Sequence, residues 1–317
     1  MSSGLLSLYR GATTGLSVLA PALLQWRLRH GKEDAARLPE RSGIAGRARP
    51  AGPLVWLHGA SIGEAVALLP LISALRARKW QTLLTTGTVT SAQLMDTRLP
   101  PGAIHQFAPL DTPPFVRNFL DHWRPQLVLL AESELWPNML TEVADRNIPV
   151  ALVNARLSER SARRWKKLPG FIGELLGRID VTLAQTPADA DRFRELGATH
   201  VAVAGNLKYD VPALPCDPLE LTRLKSSVGA RPIWVAASTH DGEEDFAMEA
   251  HTQLLRRWPD LVTVIAPRHP ERGAAIAAMA AQRGIECKLR SRDEALAAGN
   301  CIYIADTIGE LGLFYRL

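Results

Sequence analysis

From residue 53 onward the chain alternates short, nearly all-apolar runs with longer stretches of helical pattern. PLVWLH precedes a helical stretch from about Glu64 to Arg78, QTLLTT one beginning near Thr90, and QLVLLAE one containing Pro137 to Arg146. PVALVNA, VTLAQT and VAVAG continue the series. A strand that is apolar on both sides must be covered on both sides. Helices alternating with such strands therefore predict an α/β fold with a parallel sheet between two helical layers.

A second series opens at RPIWVAAST, after a polar connector around Val211 to Arg231. It runs through a helix near 241–257, the strand LVTVIAP, a helix at 271–283, a weaker strand signal in ECKLRS, the strand CIYIAD and a last helical segment. WLHGASIGE and WVAASTHDGEE start the two series alike: tryptophan in a strand, small and hydroxyl residues in the turn, acids at the helix start. The expected architecture is two Rossmann-like domains facing each other across a cleft, over 36–210 and 211–317, preceded by a separate segment over 1–35. With 47% of 317 residues apolar there is material for two cores. Ligands of such sheets sit beyond the carboxyl ends of the strands, so the turns there are where chemistry is sought. The second series supplies only about four strands where a doubly wound domain has about five or six. Its far edge reads as missing, and the C-terminal domain as truncated.

Residues 5–25, LLSLYRGATTGLSVLAPALLQ, are largely apolar and lead into Arg27, Arg29, His30 and Lys32. A spanning helix needs roughly 20 uninterrupted apolar residues, and Arg10 and Pro21 break this run. The segment is expected to be a short interfacial or marginally inserted membrane anchor with its basic flank in the cytoplasm. A helix docked on the protein is the other reading of the same composition. The net charge of +5 favours an anionic partner, whether a phospholipid surface, a nucleic acid or a phosphorylated substrate. Basic patches interleaved with aromatics are absent, so no nucleic-acid partner is expected. Cys216, Cys287 and Cys301 fall at unrelated spacings, which points to a reducing compartment and no disulfide framework.

Two acidic turns stand out. Ser61-Ile-Gly-Glu64, after the first strand, matches a capping box, in which serine and glutamate satisfy orphan amides at a helix start. The same Glu64 at a strand end is also placed to act as a general base, provided apolar neighbours raise the pKa that a helix N-terminus lowers. Both readings stand on the sequence. Gly59 and Gly63 allow a tight turn and close approach of substrate, but G-x-G-x-x-G is not present. The second turn, AESELWP, puts Glu132 and Glu134 at another strand end, where a role in the site competes with acids favouring a first helical turn before Pro137.

Arg156, Arg160, Arg163, Arg164, Lys166 and Lys167 crowd the stretch NARLSERSARRWKK. Such a run is ordinarily a solvated helix face, yet arginine forks also match phosphate bidentately, which fits a phosphorylated lipid. In the second series Ser238, Thr239, His240, Asp241, Gly242 and Glu243 join strand to helix, where hydroxyls and free amides can hold one phosphate. Thr239 or Asp241 is the expected cap. Arg268 and His269 end the next strand, and the two turns together resemble a pocket for a nucleotide monophosphate. Asp189 and Asp191 mimic a D-x-D metal motif but follow Pro187 in an apparent first helical turn, so no metal is expected. His58 reads as a satisfied strand-end histidine. Neither G-x-S-x-G nor a Walker lysine motif occurs.

HGASIGE, FAPLDTP, ESELWPN, NARLSERS, GNLKYD, ASTHDGEE and APRHPER, in that order, resemble the 3-deoxy-D-manno-octulosonic acid (Kdo) transferases of lipopolysaccharide synthesis. The resemblance implies a GT-B glycosyltransferase at the cytoplasmic face of the bacterial inner membrane. It would move Kdo from CMP-Kdo to a lipid A precursor of the lipid IVA type with inversion, and would need no cofactor. It makes Glu64 the base and puts Glu134 on the acceptor side with Ser61, Gly63, Arg156, Arg160 and Arg163. Ser238, Thr239, His240, Glu243, Arg268 and His269 fall to the nucleotide. The family's glycine-rich G-G-H-N-x-x-E-P stretch is not found in the sequence. Nucleotide-sugar epimerases of the same architecture, and a chain that only binds acidic lipid, are the competing readings.

Overall fold

The computed structural model describes residues 4–210, 213–294 and 301–317. The chain divides into two compact units, Met1–Val211 and Pro212–Leu317. Val211, where the connector was placed, lies outside the described residues.

The first unit is a seven-stranded sheet in the order β3-β2-β1-β4-β5-β6-β7. Its strands are β1 Leu54–His58, β2 Gln81–Thr86, β3 Ile104–Phe107, β4 Leu127–Ala131, β5 Val150–Ala155, β6 Val181–Ala184 and β7 Val201–Val203. Every pairing is parallel. The helices are α1 Gly4–Leu16, α2 Ala20–Arg29, α3 Ile62–Ala77, α4 Val89–Arg98, α5 Pro113–Trp123, α6 Pro137–Ala144, α7 Glu159–Trp165, α8 Pro169–Leu176 and α9 Pro187–Glu195. β1 shows why its apolar run is continuous. Leu54 and Trp56 point into one core, where Trp56 meets Phe119 at 4.5 Å between ring centroids, and Val55 and Leu57 point into the other. Each such side chain contributes about 1.5–3 kcal/mol by leaving water.

The second unit has a four-stranded parallel sheet ordered β10-β11-β9-β8. Its strands are β8 Ile233–Thr239, β9 Val262–Pro267, β10 Cys287–Leu289 and β11 Cys301–Ile304. Its helices are α10 Pro218–Val228, α11 Glu243–Leu254, α12 Gly273–Gln282 and α13 Leu311–Phe314.

The strands expected from apolar runs all form. β3 and α5 come in addition to the predicted series, because Ile-His-Gln-Phe is short and half polar. The polar groups suit its place at the sheet edge. There the carbonyl of His105 accepts from Arg37 Nη2 (3.2 Å) and the amide of Phe107 donates to Glu40 Oε2 (2.7 Å), so side chains cover outward-facing backbone groups. Burial and the charges of Arg37 and Arg41 pull the His105 pKa down to about 3, which keeps it neutral between those guanidiniums.

The N-terminal segment packs on α5 and α6 through α1. Leu6 is buried, Arg10 pairs with Glu142 at 2.8 Å, and the Tyr9 hydroxyl donates to Asp111 at 3.0 Å. Its outer side carries exposed Leu5, Leu8, Leu16, Val18, Leu19, Leu23 and Trp26. Among the described residues, no helix is long and apolar enough to cross a membrane.

Candidate active site

In the first unit the ends of β1, β4 and β5 and the 3-10 turn Leu207–Asp210 bring one group of residues together. Ser61 caps α3 in extended conformation and accepts from the Glu64 amide at 3.3 Å. Glu64 returns the contact: Oε2 accepts from the Ala60 amide at 2.8 Å and Oε1 from the Ser61 hydroxyl at 2.7 Å. The capping arrangement is therefore formed. Gly59 suits it, since a Cβ there would stand a tight 3.0 Å from the Ala65 amide nitrogen and from Glu64 Cβ.

Capping does not exhaust Glu64. Burial raises its pKa, the Ser61 and Ala60 hydrogen bonds oppose the rise, and the negative charges of Glu134 and Glu132 add to it. The result is a carboxyl above its ordinary range, still oriented by two donors. That is the tuning a base needs if it is to take a proton near neutrality.

Glu134 is tuned the other way. Burial opposes its ionisation, but His58 and the Trp136 indole, which donates to Oε2 at 2.6 Å, outweigh it and hold the carboxyl below the ordinary range. His58 Nε2 lies 3.6 Å from Glu134 Oε2. On its other side His58 Nδ1 is 2.9 Å from the Thr85 hydroxyl, which already accepts from the Trp56 indole at 2.8 Å. Thr85 can give its own proton to Nδ1, which favours the tautomer with its proton on Nε2, toward Glu134. His58 is thus satisfied on one nitrogen, as the sequence reading had it, and turned to the site with the other. Two neighbouring carboxylates with opposite shifts are the pattern that separates acid from base assignments.

Glu132 (φ 53°) and Asn154 (φ 53°) adopt left-handed backbone at the ends of β4 and β5. Such strain in non-glycine residues recurs at functional sites. Buried Asn154 receives the Leu207 amide at 3.0 Å, which seats the 3-10 turn, and Lys208 from that turn reaches Glu132 at 3.4 Å. Lys208, Asn154 and Thr85 have no role in the sequence reading. GNLKYD is visible as a motif, but no periodicity or spacing ties its lysine to Glu132.

Arg156 follows β5, and its amide donates to the Glu132 carbonyl at 3.3 Å. Arg160 and Arg163 are exposed on α7, where Arg163 lies 3.9 Å from Glu159. Among the described residues neither contacts the carboxylate group. Asp189 accepts from the Thr186 hydroxyl and the Leu157 amide, the work of a cap and a loop tie.

In the second unit the β8–α11 turn is built differently from the expectation that Thr239 or Asp241 caps the helix. The cap position is Gly242 (φ 89°), and Thr239 donates to buried Glu244 at 2.9 Å. The His240 amide is occupied by Glu243 Oε2 at 2.7 Å. Ser238 is left-handed (φ 59°), Arg268 and His269 stand exposed, and the rings of His240 and His269 face each other at 6.4 Å. Arg272 pins the turn through Glu244 (2.8 Å) and Asp241 (2.5 Å).

Comparison with known proteins agrees with these motifs. The family described as 3-Deoxy-D-manno-octulosonic-acid transferase (kdotransferase) matches residues 36–211. A probable mitochondrial 3-deoxy-D-manno-octulosonic acid transferase of Arabidopsis thaliana is 36% identical, covering 98% of this chain and 72% of that protein. The corresponding transferase of Bordetella pertussis is 34% identical over 96% of this chain and 74% of its own length. A crystal structure of UDP-GlcNAc 2-epimerase from Neisseria meningitidis bound to UDP-GlcNAc aligns with TM-score 0.53 over 84% of this chain and 75% of that one. At 13% identity that likeness is one of fold alone. With more than half of its length inside the family match, and a relative of this kind along almost all of it, the chain is a glycosyltransferase and belongs to the 3-deoxy-D-manno-octulosonic acid transferase family.

Proposed function

We propose that the chain is a GT-B enzyme that transfers Kdo from CMP-Kdo to a lipid A precursor of the lipid IVA type, with Glu64 as general base. The observation that carries this is the pair of carboxyls at neighbouring strand ends, Glu64 held by the Ala60 amide and the Ser61 hydroxyl and Glu134 by Trp136 beside His58, surroundings that raise the first and lower the second. Glu64 takes the proton of the acceptor sugar hydroxyl as that oxygen attacks the Kdo anomeric carbon, and CMP leaves from the opposite face with inversion. Glu134, ionised and held by His58 and Trp136, orients acceptor hydroxyls. Ser61, Gly63 and Arg156 border the same turns, and Arg160 and Arg163 meet acceptor phosphate. Arg268, His269 and the turn of Ser238, Thr239, His240 and Glu243 receive the nucleotide phosphate, whose growing charge Arg268 offsets without a metal. Glu243 enters by holding the His240 amide rather than by meeting the phosphate itself.

The lipid acceptor explains the N-terminal surface. Leu8, Leu16, Val18, Leu19 and Trp26 enter the headgroup region of the cytoplasmic face of the bacterial inner membrane, with Arg29 and Lys32 on anionic headgroups. Incubation with CMP-Kdo and a lipid A precursor, read by CMP release and mass spectrometry of the lipid, tests the reading. Kdo-lipid with the inverted anomer supports it. CMP release without glycolipid overturns the acceptor assignment.

A further inference from the structure

Helix α6 begins at Pro137 without a cap of its own, since Trp136 makes no side-chain hydrogen bond to the first turn. The cap comes from far away in sequence. Asp111, buried in the turn between β3 and α5, accepts from the amides of Asn138 (3.1 Å) and Met139 (2.8 Å), and its carbonyl accepts from Asn138 Nδ2 at 2.6 Å. The same carboxylate accepts from the Tyr9 hydroxyl on α1, and one turn later Thr13 accepts from Asn138 Nδ2 at 3.0 Å. Tyr9 and Thr13 are four residues apart and so share one face of α1. The residues just before α6 are Glu134 and Trp136, and Pro137 fixes the backbone that joins them to the capped turn. One carboxylate therefore stands between the helix with the exposed apolar side and the loop that holds the lowered carboxyl.

We propose that Tyr9 and Asp111 are positioning residues that tie the seating of α1 to the placement of Glu134, acting through the first turn of α6. The inference rests on the acceptor role proposed for Glu134. A lipid acceptor must be presented from the surface on which α1 rests, and the Asp111 tie sets the acceptor carboxylate in register with that surface. Catalytic geometry tolerates little drift: a misplacement of about 1 Å from a remote change costs up to about 100-fold in rate. A tie of this kind therefore acts on the acceptor and leaves the donor untouched.

The test compares Tyr9→Phe, which keeps the ring and removes only the hydrogen bond to Asp111, with Arg10→Gln, which loosens α1 from Glu142 and leaves Asp111 alone. The side-chain 1H–15N signal of His58 reports the Glu134 contact in either protein, whether or not it turns over. Tyr9→Phe is expected to move that signal and to raise the acceptor KM about threefold to tenfold with the CMP-Kdo KM unchanged. Arg10→Gln, whose partner Glu142 lies in the last turn of α6, away from the capped first turn, is expected to move both less than Tyr9→Phe does. A His58 signal that stays in place in Tyr9→Phe, or that moves equally in both variants, overturns the proposal and leaves Asp111 a cap only. Should the unmodified protein form no Kdo-lipid, the acceptor assignment falls, while the His58 comparison still decides the tie.

Discussion

Lys208 Nζ lies 3.4 Å from Glu132 Oε1, which joins residues 76 apart in sequence and sets a cation beside the Glu64 turn. A Cβ on Gly63 would meet that same nitrogen at 3.9 Å. The pair is partly exposed, so its worth to the fold is small, about 0–1 kcal/mol. Lys208→Met is therefore expected to change the melting temperature little and, if the proposed transfer of an anionic sugar takes place beside it, to lower kcat/KM about tenfold. Unchanged kcat/KM would assign Lys208 to the surface.

Glu64→Gln keeps an oxygen for the Ala60 amide and loses the carboxylate proposed as the base. The expectation is a kcat loss of about 100-fold or more with the fold retained. Glu64→Ala leaves the Ser61 cap but gives up both return bonds of the capping box and costs a further 0.5–2 kcal/mol or so in denaturant unfolding. If Gln and Ala lose stability alike while kcat falls only in proportion, capping is the whole role.

The pH profile follows from the shifts. Because burial and neighbouring carboxylates raise the Glu64 pKa, the rate should climb with pH along a limb lying above the ordinary carboxylate range. Ionising Glu64 is harder in the folded protein than in the unfolded one. Its contribution to stability is therefore present at low pH and is lost as pH rises through the folded pKa. Glu132→Gln removes one of the raising charges and is expected to move the acidic limb of kcat to lower pH. A limb that stays put, or moves up, contradicts Glu64 as the titrating base.

Arg272 and Arg268 separate structure from binding in the second unit. Glu244 is fully buried, with Arg272 on it at 2.8 Å. Arg272→Ala strands that charge and should destabilise the unit by about 3–5 kcal/mol. Arg268 is exposed, so Arg268→Ala should leave unfolding unchanged and weaken CMP binding measured by calorimetry. Equal CMP affinity in Arg268→Ala would remove it from the proposed nucleotide site.

The N-terminal surface is tested by flotation with anionic vesicles. Val18 is 79% exposed and Leu19 61%, so replacing both by serine costs the fold almost nothing and is expected to reduce the vesicle-bound fraction severalfold. Equal flotation of wild type and variant would place the contact elsewhere.

Much of this was legible because burial on both faces writes itself into a strand as an unbroken apolar run. LVWLH, LVLLA and VTVIAP announce themselves, and the turns after them carry Glu64, Glu134 and Arg268. What escaped is set by tertiary proximity. The IHQF edge strand is half polar because its outer side answers to Arg37 and Glu40. The α11 cap was misread because Thr239 donates to Glu244, five residues on, rather than to the helix amides. Glu64 closes the capping box as one reading had it, and the base reading is compatible with that, since burial, with the charges of Glu134 and Glu132, still pushes the same carboxyl toward protonation.

The cover over β3 has a consequence for how the protein survives its own synthesis. A sheet of seven parallel strands assembles slowly, and until it closes, a bare flank at His105–Phe107 is a template on which another chain can add a strand. Arg37 and Glu40 lie in the segment that leaves the ribosome before that flank does, so the shield is made before the strand it guards. A chain without Glu40 would meet its hazard in the cell as aggregation, long before any substrate.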